Sequence, residues 1–421
     1  MNPLRPAGII IGLALILGVF IIGIGIFATQ SDDDDDAPST PVPEVATSDD
    51  SEAEAPVGES DATAPDETPE VTVDPEEAAA PDDEDDQTMP EADDESEAEE
   101  PDSPPAEPLT EEELQQYQPN ELGQIMVLMY HRIEAEDNPE DVWTRTPDQF
   151  RGDLQWLYDN DFYIIPIRDY IRNEINAPAG KRPVVLTFDD GTVGQFRMVE
   201  QDDGTMAIDP DSAIGILEDF FNRYDDFGRG GLFAILPLAP FAWPDAEDQR
   251  QFAEEKLNWL VDNGYELGNH TVGHINMRDV SDEEIKSELA RAEDMMAEYV
   301  PDVEVSVLAV PFGVYPEGGD TSIFEGWEYE GRQYELEGAL MVGAEPAPSP
   351  VHVDFDPMWI PRINSDDEQL GRWFSFVEEN PGIMYVSDGN PDTITIPADV
   401  HPWLVDTLDE TKTEGKEVIR Y

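Results

Sequence analysis

Val184-Val185-Leu186-Thr187-Phe188-Asp189-Asp190-Gly191 is the stretch whose reading decides the fold. Apolar β-formers run directly into two adjacent carboxylates and a glycine. Such a run reads as a buried strand. In α/β proteins the chemistry gathers at the C-terminal ends of the strands. Two neighbouring aspartates in a water-poor site stay ionised together only beside a cation or another positive group. The chain offers partners for one in Gly268-Asn269-His270-Thr271-Val272-Gly273-His274. Its H-x3-H spacing lets two imidazoles converge on a single ion. One carboxylate and two histidines, with positions left for water, is the ligand set of a catalytic zinc-type site. The second aspartate is then left over as a base.

Elements alternate on both sides of that strand. Ile125 to His131 reads as a first buried strand that ends in a histidine. Thr146-Pro147 has the form of a capped helix start, followed by a short strand at 162–165. Residues 193–212, rich in Asp and Gly, read as an inserted loop. Helices are expected over 213–224, 247–263 and 281–300, the last with a capping box of Ser281 and Glu284. Strands are expected at 231–238, 265–270, 305–310, 339–342, 358–360 and 382–386. This β/α alternation with polar strand ends argues for a parallel α/β barrel rather than an open nucleotide-binding sheet. No G-x-G-x-x-G or phosphate-binding loop follows any strand, which removes the obvious nucleotide readings.

The ends of the chain say where such a domain works. Ala7 to Ala28 is an uninterrupted apolar and glycine run, long enough to cross a bilayer. Arg5 precedes it and Asp32–Asp36 follow it, so residues 1–28 read as a membrane anchor with everything after Ala28 outside. A cleaved signal peptide is the competing reading, and it implies export as well. Residues 29–120 are Asp, Glu, Pro, Ala, Ser and Thr with almost no large apolar side chains. They read as a disordered, extended acidic linker, and 121–421 as the folded domain. The 421 residues hold 98 acidic and 22 basic ones, net −76, and no cysteine. That charge argues against nucleic acid and anionic membrane surfaces as partners. A Lys-poor, acidic folded domain reads as adaptation to high salt.

Taken together, Leu128-Met129-Tyr130-His131-Arg132-Ile133, Thr187-Phe188-Asp189-Asp190-Gly191 and Asn269-His270-Thr271-Val272-Gly273-His274 resemble the polysaccharide deacetylase family. This is the NodB-homology domain, carbohydrate esterase family four. The resemblance spans roughly 122–400. It implies a distorted (β/α)7 barrel, a divalent metal, usually Zn2+, and hydrolysis of N-acetyl groups on a surface polysaccharide. Carried over by motif position, Asp189 is the catalytic base, and Asp190, His270 and His274 are the metal ligands. A backbone N–H near the Pro311-Phe312-Gly313 turn is implied for the oxyanion.

Two positions depart from the family pattern. Its third motif, R-x-P-[YF]-G, appears here as Ala309-Val310-Pro311-Phe312-Gly313, so the arginine that orients the base is an alanine. Arg362, which ends another short strand, is expected to supply that guanidinium. The late L-x-H motif is matched by Met384-Tyr385-Val386, without its histidine. His131 is the expected substitute as acid, and His401 the second candidate. Ser387 and Asp388 read as a turn with Gly389. Trp243, Trp327 and Trp359 are able to stack on sugar rings but read by default as packing residues. An N-deacetylase on a cell-envelope polymer is therefore the expectation. An O-acetyl esterase and a non-catalytic, metal-retaining glycan binder are the alternatives.

Overall fold

The computed structural model describes residues 108–136, 141–244, 246–413 and 415–421. The expected anchor and the linker up to residue 107 lie outside these residues. Among those described, no helix is long and apolar enough to cross a membrane.

Eight strands form one sheet. They are β1 (Met126–Tyr130), β2 (Phe162–Ile164), β3 (Arg182–Phe188), β4 (Leu232–Ile235), β5 (Glu266–Asn269), β6 (Val307–Ala309), β7 (Gly338–Leu340) and β8 (Ile363–Asn364). Their order is β7-β6-β5-β4-β3-β1-β8, with β2 beside the start of β3, and all pairings are parallel. One segment links the sheet's two ends. Ile360 exchanges backbone hydrogen bonds with Ala339 and Met341, and three residues on Ile363 pairs with Leu128 of β1. A parallel sheet that curls back on itself, with helices outside, fits a distorted (β/α) barrel.

The period of two along each strand sorts the side chains. Met126, Leu128 and Tyr130, with Val184, Leu186 and Phe188, pack outward against Leu154, Leu217 and Leu257 of the helices. Val127, Val185, Leu232, Val307, Leu340 and Ile360 form a second cluster on the inner face. The barrel is filled rather than open, as expected for strands covered on both faces. The outer helices include Pro147–Asp159, Ala213–Arg223, Ala253–Asp262, Asp282–Tyr299 and Asp367–Glu379. Thr146 begins the first with a complete capping box to Gln149. Ser281 Oγ accepts the Glu284 N–H as expected.

Several expectations need correction. Thr110 caps a helix over Glu111–Tyr117, and Asn120 pairs with Val386, so ordered chain begins before residue 121. The expected loop over 193–212 contains an antiparallel hairpin, Met198–Glu200 with Met206–Ile208. Residues 357–359 form a 3-10 turn around Pro357, and the strand lies four residues later. Around Pro381 the chain likewise turns, leaving only single bridges at Met384 and Val386. In both places proline lacks the N–H that a ladder needs.

Candidate active site

The inner-face parity of three strands delivers the central groups to one mouth. Val185, Thr187 and Asp189 share a face along β3, and Val127, Met129 and His131 do so along β1. Ile360 and Arg362 continue the same face beside them. Arg362 is fully buried and grips the buried Asp189 carboxylate with both arms, Nη1 to Oδ1 and Nη2 to Oδ2 at 2.7 Å each. Its Nε donates to the Met341 carbonyl at 2.8 Å, and Nη1 also reaches Thr187 Oγ1 at 3.1 Å. Such a fork-on-fork pair fixes the orientation of the carboxylate.

Asp190 leaves the strand in a left-handed conformation, φ 75°. Its carboxylate thereby faces the histidines while Asp189 faces Arg362. Oδ1 lies 3.3 Å from His270 Nε2 and 3.7 Å from His274 Nε2. His270 follows β5, and its Nδ1 is 2.7 Å from the Ala309 carbonyl. That contact places the proton on Nδ1 and the lone pair on Nε2. Asn269 shapes the turn beyond, its Oδ1 accepting the Thr271 N–H while Nδ2 donates to Leu289. Thr271 and His274 also sit at positive φ, 61° and 49°. Left-handed non-glycine residues cost about 1–2 kcal/mol each, and their gathering here marks a functional site.

The arrangement passes a test for a bound cation. One donor atom each from Asp190, His270 and His274 lies within 4.8 Å of the others. His270 Nε2 is buried and has no hydrogen-bond partner, a cost that a metal would remove. One carboxylate and two imidazoles suit a divalent transition metal.

Residues 241–320 match the family model described as polysaccharide deacetylase. The matched span holds both histidines and the Pro311 turn. The match to the polysaccharide deacetylase model covers this part of the chain. Polysaccharide deacetylases are hydrolases. No curated protein matches the sequence. Among solved structures, the deacetylase PplD of Streptococcus pyogenes in complex with acetate overlaps 57% of this chain and 91% of its own, at 18% identity and a TM-score of 0.42. A polysaccharide deacetylase from Bacillus cereus overlaps 60% and 68%, at 16% and 0.43. IcaB from Ammonifex degensii overlaps 61% and 97%, at 15% and 0.43.

Within the site the charges are sorted by their neighbours. Burial alone would raise the Asp189 carboxyl, but the Arg362 guanidinium, with His270 and His131 beyond it, holds it well below the usual carboxylate range. Burial, and then His270, push His274 down to about 4, so its imidazole is neutral near pH 7. His131 is also lowered by burial, partly offset by Asp189 and Asp190. Its Nε2 lies 3.8 Å from Asp189 Oδ2, and its buried Nδ1 has no partner.

The structure brings His131, Asp189, Asp190, His270, His274 and Arg362 to this mouth, but not His401. Pro311, Phe312 and Gly313 form a 3-10 turn after β6, and the Phe312 ring stands edge-on to His274 at 4.3 Å. A Cβ on Gly313 would lie 2.8 Å from Val342 Cβ, which fixes glycine there. His401 lies elsewhere, lining a cavity of about 1130 Å³ with Tyr117 and Lys181. Its Nδ1 accepts the Trp403 N–H. Gly389 N–H donates to Ser387 Oγ, as expected of a turn. Two residues were missed by sequence reading. Gln195 Nε2 donates to both the His131 and the Asp189 carbonyls, at 2.6 and 2.5 Å, tying the two strand ends together. Trp143 packs its ring 4.6 Å from that of His131. Gln195 stood in a stretch read as insertion, and Trp143 in an acidic loop with no periodic signal.

Proposed function

We propose that this chain is a metal-dependent polysaccharide N-deacetylase acting on N-acetylhexosamine units of a cell-envelope or extracellular polymer. The observation that carries it is the division of the aspartate pair. Asp189 is held ionised and oriented by Arg362, while its neighbour Asp190 turns to the two histidines. A divalent cation held there, Zn2+ in the first instance, would supply a lowered water pKa and a polarised acetyl carbonyl.

The chain's own groups do the rest. Asp189 takes the proton of the attacking water, and His131 across the mouth gives one to the leaving amine. The oxyanion is met by the backbone N–H of Phe312. Pro311 has no N–H, and those of Gly313 and Val314 are spent on Val310 and Pro311. Arg362 restores the guanidinium that Ala309 removes from the third motif, which weighs against a non-catalytic glycan binder. Ala7–Ala28 supports an anchored or exported enzyme with this domain outside.

The test is acetate release by the full chain, in molar salt with zinc. N-acetyl-glucosamine oligomers are compared with acetylated xylan, alongside metal content. Stoichiometric metal is expected, with release from the amide substrate that Asp189→Asn lowers about 10²–10⁴-fold. Release from xylan alone would favour the esterase. Metal without release from either would favour the binder.

A further inference from the structure

Beyond the last rung between β1 and β3, a side chain takes over the pairing of the two strands. Asp189 N–H donates to the Tyr130 carbonyl at 2.9 Å. In a continuing parallel ladder the Arg132 N–H would next meet the Asp189 carbonyl. It turns instead to the Trp143 carbonyl at 3.0 Å. Gln195 fills the gap. Its Nε2 donates to the Asp189 carbonyl at 2.5 Å and to the His131 carbonyl at 2.6 Å, so both amide hydrogens bridge the strand ends. Gln195 is fully buried, and its backbone is fixed at both groups, N–H to Thr192 and carbonyl to the Ile214 N–H, at 3.0 Å each. Gly194 lets this segment lie so close, since a Cβ there would stand 2.0 Å from the Ile133 carbonyl oxygen. The tie carries a cost, because Gln195 Oε1 is buried without a hydrogen-bond partner.

The gap it spans lies between two side chains that do not hold each other. His131 Nε2 is 3.8 Å from Asp189 Oδ2, outside hydrogen-bond reach, and His131 Nδ1 has no partner. The Asp189 carboxylate is fixed by Arg362, whereas the imidazole takes its place from its own backbone and the Trp143 ring. We propose that Gln195 is a positioning residue that sets the distance between Asp189, the base, and His131, the acid. It touches no reacting atom and acts through the two carbonyls. The inference rests on the deacetylase reading for those two roles. In amide hydrolysis a proton of the attacking water goes to Asp189, and the C–N bond breaks as His131 hands a proton to the departing amine. The phenolate of an activated aryl acetate leaves as an anion, so its C–O bond breaks without the acid. Loosening the tie should therefore harm the amide reaction selectively.

Gln195→Met keeps the length of the side chain and removes both donors. In the full chain, kcat for acetate release from N-acetyl-glucosamine oligomers should fall about 10–100-fold, with KM held within about twofold. Hydrolysis of nitrophenyl acetate should change by less than about threefold. Gln195→Glu, which can donate to one carbonyl at most, should show the same selective loss and serves where the first variant does not fold. Thr192→Val removes only the hydroxyl bond to the His131 carbonyl, and as the control it should keep the ratio of the two rates. Equal losses on both substrates, or no loss on either, would overturn the positioning role. Imidazole resonances in NMR report on the tie apart from turnover. Those of His131 should move in Gln195→Met and those of His352 should not, and unmoved His131 resonances would likewise overturn the role. A His131 shift in a chain whose wild type releases no acetate would sink the deacetylase reading and leave the tie standing.

Discussion

Arg362 has no solvent contact, and its guanidinium spans a carbonyl, a hydroxyl and both oxygens of Asp189. Breaking such a pair strands a buried charge. Arg362→Ala should therefore cost about 3–5 kcal/mol of stability, read by chemical denaturation, and should lower acetate release as well. Ala309 sits on the inner face of β6, its carbonyl already bonded to His270. A side chain added there points into the same interior. The double variant Arg362→Ala with Ala309→Arg should regain part of both losses, and no recovery would mean that the two strands do not address one position. This much was legible beforehand. Each strand's period places Asp189, His131 and Arg362 on one face, and the missing motif arginine asks for a substitute. The left-handed turns at Asp190 and Thr271 were not legible, because they are held by tertiary contacts rather than by glycine.

Seven of the eight barrel strands were read, because buried parallel strands are plain apolar runs; the two-residue strand Ile363–Asn364 was not. Four of the outer helices were read as well, but not the fifth. Asp367–Glu379 is a helix with Leu370, Trp373 and Val377 buried at helical spacing, but its Gly371 and aromatic residues have weak helix propensity. The segment 119–124 straddles the expected start of the folded domain at residue 121 and carries Glu121 into the core. Both oxygens of Glu121 accept hydrogen bonds, from Tyr385, the Asp388 N–H and the Thr395 N–H. Burial, and then the charge of Asp388, push its carboxyl up to about 8. An acid raised in the folded state holds a proton that the unfolded chain has lost. The native state therefore binds more protons between the ordinary carboxyl value and about 8, and stability falls as pH rises through that window. Lys256 works the other way. It is buried against the Phe241 carbonyl and Gln249 and pushed down by burial to about 7. The unfolded chain binds more protons above that value, so its contribution raises stability from about 7 upward. Unfolding curves should accordingly show a shallow minimum near neutral pH. Glu121→Gln should flatten the acidic side and Lys256→Met the alkaline side. A minimum that persists unchanged in both variants would exclude these groups as its source.

On the scale of the whole molecule, 98 acidic residues face 22 basic ones. Many of those cations are already engaged. Arg168 and Arg172 share Glu304, Arg151 meets Asp148 and Asp211, and Arg229 meets Glu218. Two effects of salt then oppose one another. Screening weakens these exposed pairs, each worth about 0–1 kcal/mol. It also weakens repulsion among the many carboxylates outside such pairs among the described residues. The Debye length falls from about 10 Å at 0.1 M to about 3 Å at 1 M, so repulsion between neighbouring surface carboxylates is largely removed in molar salt. The buried Arg362–Asp189 and Arg145–Asp153 pairs are sheltered from screening and should change little. Net stability should therefore rise with salt, at about 2–4 °C in melting temperature for each kcal/mol gained. Thermal unfolding in potassium chloride and in potassium glutamate separates screening from preferential exclusion, since screening depends on ionic strength alone. A melting temperature that falls between 0.1 and 1 M would show that the surface pairs dominate, and would remove the argument for a chain built to work in brine.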